Sequence, residues 1–183
     1  MVVQTALPPM IRALLQPEAY PHPTLDRQLH ETHISWVILA GPFAYKLRKP
    51  VNLGFVDFTS AAARLEDCAN EVRLNRRLSS DLYLGIVPVH DHDGRYWIGT
   101  PFQPDDLSQA TCPGEPAVLM RRLPAEGMLP AMLARDAVTP EHAVVARDRL
   151  RVRRAGHEDA GVRLDPLRGR PWVPREQHVR VDR

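Results

Sequence analysis

The chain predicts a mixed α/β domain of the α+β kind, an antiparallel sheet carrying one long helix. Three observations predict it. Thr32 to Leu39 is rich in β-branched and aromatic residues with partial alternation, and Gly41-Pro42 turns it into Phe43 to Lys49, so the two read as a hairpin. Thr59 or Ser60 can cap a helix running to about Leu78, in which Ala61, Leu65, Cys68 and Val72 recur at three- and four-residue steps. Between Leu84 to His90 and Arg95 to Thr100 stands the turn Asp91-His92-Asp93-Gly94, where Asp-Gly is a strong hairpin signal.

The remaining elements follow in order. A proline-rich start allows a short helix at Met10 to Gln16, which Pro17 to Pro23 ends, so residues 1–23 read as an N-terminal extension. Pro50 to Phe58 is a loop between hairpin and helix, and Pro101 to Pro116 is a second loop. Ala117-Val118-Leu119-Met120 reads as a further strand, followed by weaker helical patterns at Gly127 to Arg135 and from Thr139, where Thr139-Pro140-Glu141 is a good cap with proline at the first helical position. The domain is therefore expected over 24–146, ending in short helices.

From Arg147 the character changes. Residues 1–146 hold 13 basic and 16 acidic side chains, whereas 147–183 hold 11 and 6, so a body of −3 carries a tail of +5. The tail shows no sustained period of 3.6 or 2 and is read as disordered or non-native. An arm for nucleic acid or another polyanion is the alternative its charge permits, though no recognition motif accompanies it.

A length of 183 residues suits one domain, and contents of 44% hydrophobic and 25% charged residues are those of a globular protein. No stretch reaches the about 18 apolar residues of a membrane span, and none reads as a signal peptide. Two cysteines, Cys68 and Cys112, are too few for a disulfide framework, so a reducing cytoplasm is the default expectation.

The chemistry begins with lysine. Only Lys46 and Lys49 occur, both in the strand Phe43 to Lys49, against 22 arginines. An ammonium is a compact point charge on a flexible stem, suited to a phosphate oxygen, whereas guanidinium is a planar fork. Lys46 is thus the leading candidate for phosphate binding, with a solvated strand residue as the plain alternative. Glu71 follows 25 positions later on the long helix. A carboxylate partner would fix a lysine before phosphates arrive, the arrangement by which a strand lysine and a helix glutamate serve kinase-like enzymes. Spacing alone equally allows Glu71 on the wet face of the helix beside Arg73 and Asn75.

Several blocks in order, Glu31 to Val37, Tyr45 to Phe58, Glu71 to Leu78, Leu82 to Pro88 and Ala117 to Pro124, resemble a bacterial aminoglycoside-phosphotransferase-like family. Its members usually join such a domain to a C-terminal P-loop ATPase or kinase domain. The resemblance spans about Tyr20 to about Ala146. It implies a protein-kinase-like N-terminal lobe, with Lys46 as the nucleotide lysine, Glu71 as its partner, and Met120, Arg121 and Leu123 approaching the hinge beside adenine. It further implies ATP with magnesium as cofactor and phosphoryl transfer to a hydroxyl of a small molecule.

The departures are equally specific. Thr32-His33-Ile34-Ser35 stands where a glycine-rich phosphate loop would be expected. No catalytic segment of the His-Gly-Asp or His-Arg-Asp type with its following Asn and Asp is found, His157-Glu158-Asp159 being the nearest approach. The P-loop pattern is absent. Without an aspartate base and metal ligands, phosphoryl transfer lacks its machinery, so the chain is expected to be a truncated and inactive relative. A non-catalytic module binding a nucleotide or a partner is the second expectation, and polyanion binding the third. Loss of a helical lobe would leave an apolar flank near Met120, Leu123, Met128 and Leu133, favouring self-association.

Smaller candidates have plainer readings. His90-Asp91-His92-Asp93 has the residue types of a metal site, but a hairpin turn favours the same residues. His30 and His33, three apart on one strand, would face opposite ways. Cys68 reads as a small core residue, and Asp105-Asp106 as solvated surface.

Overall fold

Gly41 adopts a φ of +56°, the left-handed region in which an L side chain is strained, and a Cβ there would meet the carbonyl oxygen of Pro23 at 2.9 Å. With Pro42 it makes the two-residue turn that joins β2 (Ser35–Ala40) to β3 (Phe43–Arg48), pairing Ala40 with Phe43 and Ser35 with Arg48. The computed structural model describes residues 7–108 and 112–140. The chain divides into two compact units, to which the described residues contribute 7–108 with 112–122 and 123–140 respectively. The residues 141–183, with the basic tail and most of the helix expected from Thr139, lie outside those described.

In the first unit, β1 (Arg27–Glu31), β2, β3, β4 (Tyr83–His92), β5 (Arg95–Ile98) and β6 (Glu115–Arg121) form one antiparallel sheet in the order β1-β2-β3-β6-β4-β5. The last strand inserts between β3 and β4, so the strand carrying Lys46 is central. β1 was not expected from sequence. Its residues Arg-Gln-Leu-His-Glu are mostly polar, and as an edge strand it pairs with β2 alone, where charged side chains are tolerated. His30 sits on this strand and His33 in the turn after it, so the two do not share a strand.

The sheet is covered on both faces. One face carries the larger core, where Trp36, Ile38, Tyr45, Leu47, Val87 and Leu119 meet Ile11 and Leu14 of the short helix α1 (Pro9–Leu14). Residues 9–20 are thus part of the packed domain rather than an extension ahead of it: Ile11 and Leu14 are fully buried, and Tyr20 donates its hydroxyl to the Leu14 carbonyl at 2.6 Å.

The other face carries α2 (Ala61–Ser79), whose Ser60 cap accepts from the Ala63 amide at 3.1 Å. Cys68, Ala69 and Val72 pack on Ile86 and Val118. Ala61, expected in that stripe, is exposed; buried Arg64 holds the first turn instead. Gly85, where β4 bulges, allows the Phe102 backbone to close in, since a Cβ there would lie 2.7 Å from the Phe102 oxygen. The second unit shows a 3₁₀ turn at Ala125–Gly127 and α3 (Leu129–Ala134). Leu123, Met128, Leu129 and Leu133 are exposed. Among the described residues no helix is long and apolar enough to cross a membrane.

Candidate functional site

Alternation along β3 sends Phe43, Tyr45 and Leu47 to the face of α1 and Ala44, Lys46 and Arg48 to the face of α2. On α2, Asp67 and Glu71 are four apart and so project side by side. The two elements meet at one carboxylate. Lys46 Nζ donates to Glu71 Oε1 at 2.9 Å, and the Arg48 guanidinium donates to Glu71 Oε2. Arg48 also donates from Nε to Asp67 Oδ2 and from Nη1 to Ser35 Oγ, the latter at 2.9 Å. Its guanidinium lies 5.7 Å from the centroid of the Phe58 ring.

These groups differ in their access to water. The Glu71 and Arg48 side chains are 10% and 7% exposed, whereas Lys46 is 27% exposed. Burial pushes the Glu71 carboxyl up, but the charges of Lys46 and Arg48 and the hydrogen bonds from both more than reverse this, leaving its pKa below the ordinary value. For Arg48 burial acts to lower the pKa, and Glu71 and Asp67 outweigh it. The site is therefore a charge-balanced group of two cations and two carboxylates, in which Arg48 and Glu71 are nearly buried and Lys46 and Asp67 part-exposed.

The other expected residues fall as follows. Met120 lies on β6 opposite Ala44 and packs, half-buried, against the Cys68 and Val72 cluster, one pair along the ladder from Lys46 and Val118 on the same face. Arg121 is exposed, and its Nε donates to the Asp81 carbonyl at 3.0 Å. Leu123 begins the second unit. Lys49 serves elsewhere, paired with Glu31 over the Trp36 ring at 5.3 Å from the centroid.

Sequence reasoning passed over Arg48, Asp67 and Ser35. The signal was present: Arg48 shares the two-residue period of Lys46, and Asp67 precedes Glu71 by one helical step.

His90 packs against Trp97 with the rings tilted by 31° and their centroids 5.1 Å apart, and Asp91 Oδ1 accepts from the Gly94 amide at 3.0 Å, as a turn requires. Among the described residues no three or more His, Cys, Asp or Glu side chains are grouped to hold a metal ion. Cys68 is fully buried, and burial above all pushes its thiol up to about 12. Asp105 is exposed, and Asp106 accepts from the Gln103 amide at 2.9 Å.

Two uncharacterized proteins, Rv2004c of Mycobacterium tuberculosis and Mb2027c of Mycobacterium bovis, are similar to this chain, each 34% identical in an alignment 128 residues long that covers 61% of the chain. The matched stretch spans only 22% of the length of those relatives. No protein-family profile matches the chain, and no solved structure does.

Proposed function

We propose that the first unit is a kinase-like nucleotide-binding lobe in which Lys46 receives the phosphates of a nucleoside triphosphate. The observation that carries this reading is the Lys46–Glu71 pair: a strand ammonium, held at 2.9 Å by a nearly buried helix carboxylate, on a side chain that stays part-exposed. Partial exposure spares the ammonium part of its desolvation cost and also leaves it within reach of a phosphate oxygen. The strand order sets the Lys46 strand beside β6, so that Met120, opposite Ala44, lies on the same face of the sheet as the ammonium.

Lys46 fits the phosphate part of ATP with magnesium. Asp67 and Glu71, the two carboxylates beside Lys46, are both engaged by Arg48, so in this reading the ion enters coordinated by the phosphates themselves. Phosphoryl transfer to a small-molecule hydroxyl is proposed for the larger protein type, not for this chain alone. Its sequence lacks the aspartate base segment such transfer uses.

Calorimetric titration of the full chain with magnesium-ATP tests the proposal. Binding that is saturable, and lost in Lys46→Ala with the fold retained by circular dichroism, is the expected result. Equal binding by Lys46→Ala, or none by the unsubstituted chain, overturns it.

A further inference from the structure

The ion pair at Lys46 has a second cation behind it that the nucleotide reading does not require. Each of the three guanidinium nitrogens of Arg48 is engaged, with Asp67, Ser35 and Glu71, and the side chain is almost fully buried. It cannot reach a ligand and remain where it is. Its hold on Glu71 is on the oxygen that Lys46 does not use, so one carboxylate is shared between a part-exposed lysine and a nearly buried arginine.

Consider what a phosphate asks of this site. Lys46 must turn part of its donor set and its charge toward the incoming anion. Were Lys46 the sole partner of Glu71, that movement would strip a nearly buried carboxylate of its cation just as more negative charge approached, a strongly unfavourable arrangement. With Arg48 on Oε2, the carboxylate stays neutralised and fixed while the ammonium moves. Asp67 in turn balances the remaining charge of Arg48, and Ser35 fixes the plane of the fork from β2.

Resting on the nucleotide-lobe reading, we propose that Arg48 is a positioning residue for phosphate binding: it holds Glu71 in place and neutralised, which frees Lys46 to engage the triphosphate. Its effect passes through Glu71 and needs no contact with the ligand.

The test compares the full chain with Arg48→Met and Arg48→Lys by calorimetry with magnesium-ATP and by thermal melting. Arg48→Met is expected to weaken binding about tenfold or more, measured well below its own melting temperature. Arg48→Lys, which restores a cation beside Glu71, is expected to recover most of that loss even though it lacks the fork and melts lower than the parent. A purely structural arginine would lower both melting temperatures and leave affinity unchanged. If Arg48→Met does not fold, Asp67→Asn decides: loosening the guanidinium on its far side should weaken binding, and an affinity within about twofold of the parent would overturn the inference. Should the unsubstituted chain bind no magnesium-ATP, the nucleotide reading and this inference fall together. Binding by the parent with equal affinity in the Arg48 variants sinks only the inference.

Discussion

Arg64 on the first turn of α2 grips Glu115 at the start of β6 with two prongs, Nε to Oε1 at 2.5 Å and Nη2 to Oε2 at 2.7 Å. The same guanidinium donates from Nη1 to the carbonyls of Phe58 and Thr59, at 2.7 and 3.0 Å. One buried arginine thus ties the helix to a strand 51 residues away and anchors the loop that follows the Lys46 strand. Phe58, at the base of that loop, is buried beside Arg48, so the two arginines fix neighbouring parts of one frame.

Arg64→Ala should therefore cost about 2–4 kcal/mol, since it leaves Glu115 and two loop carbonyls without their donor. The amides of Leu53 and Phe58, bonded within the loop to the carbonyls of Val56 and Val51, should lose protection first. Urea unfolding and hydrogen exchange measure the two effects. Unchanged protection at both amides would show that the loop holds itself.

Lys46 and Arg48 should differ in what they contribute to stability. Lys46→Met removes a part-exposed cation while Glu71 keeps Arg48, and a loss of about 1 kcal/mol or less is expected. Arg48→Met leaves Glu71 and Asp67 facing a methionine, and about 3 kcal/mol or more should be lost. Comparable losses in urea unfolding would contradict the division of labour between the two.

Glu71 makes stability depend on pH with a definite sign. Its folded pKa is depressed, so its contribution is present in full above the unfolded value of about 4.3 and fades as acidification carries the carboxyl through its lower folded value. The stability gap between the parent and Glu71→Gln should be wide at neutral pH and shrink below about pH 4. A gap that stays constant down to about pH 3 would mean that the carboxylate charge is not what holds the site.

The two thiols should react at different rates. Cys68 is fully buried with its pKa pushed up to about 12, whereas Cys112 is part-exposed. A thiol reagent near neutral pH should modify Cys112 in the native chain and Cys68 only on unfolding. Rapid modification of both in the native state would argue that α2 leaves the sheet readily.

Much of this architecture is local in origin and could be read from residue order. The β2–β3 hairpin follows from apolar alternation meeting a glycine turn, α2 from its Ser60 cap and a periodic apolar stripe, and the β4–β5 hairpin from Asp93-Gly94. Each depends on contacts within a few residues, which is why pattern alone reaches it. Lys46 and Glu71 also stood out, one by rarity among arginines and the other by its place on the next helix. Long-range pairing decided the rest. A polar edge strand exists because β2 offers it a ladder, and α1 belongs to the core because the uncovered face of the sheet needed Ile11 and Leu14. Arg48 is the hub of the site because α2 docks on the sheet face where β2 and β3 present Ser35 and Arg48. A charge's partners are set by which chain segments meet in space, and spacing along the chain only marks which side chains share a face.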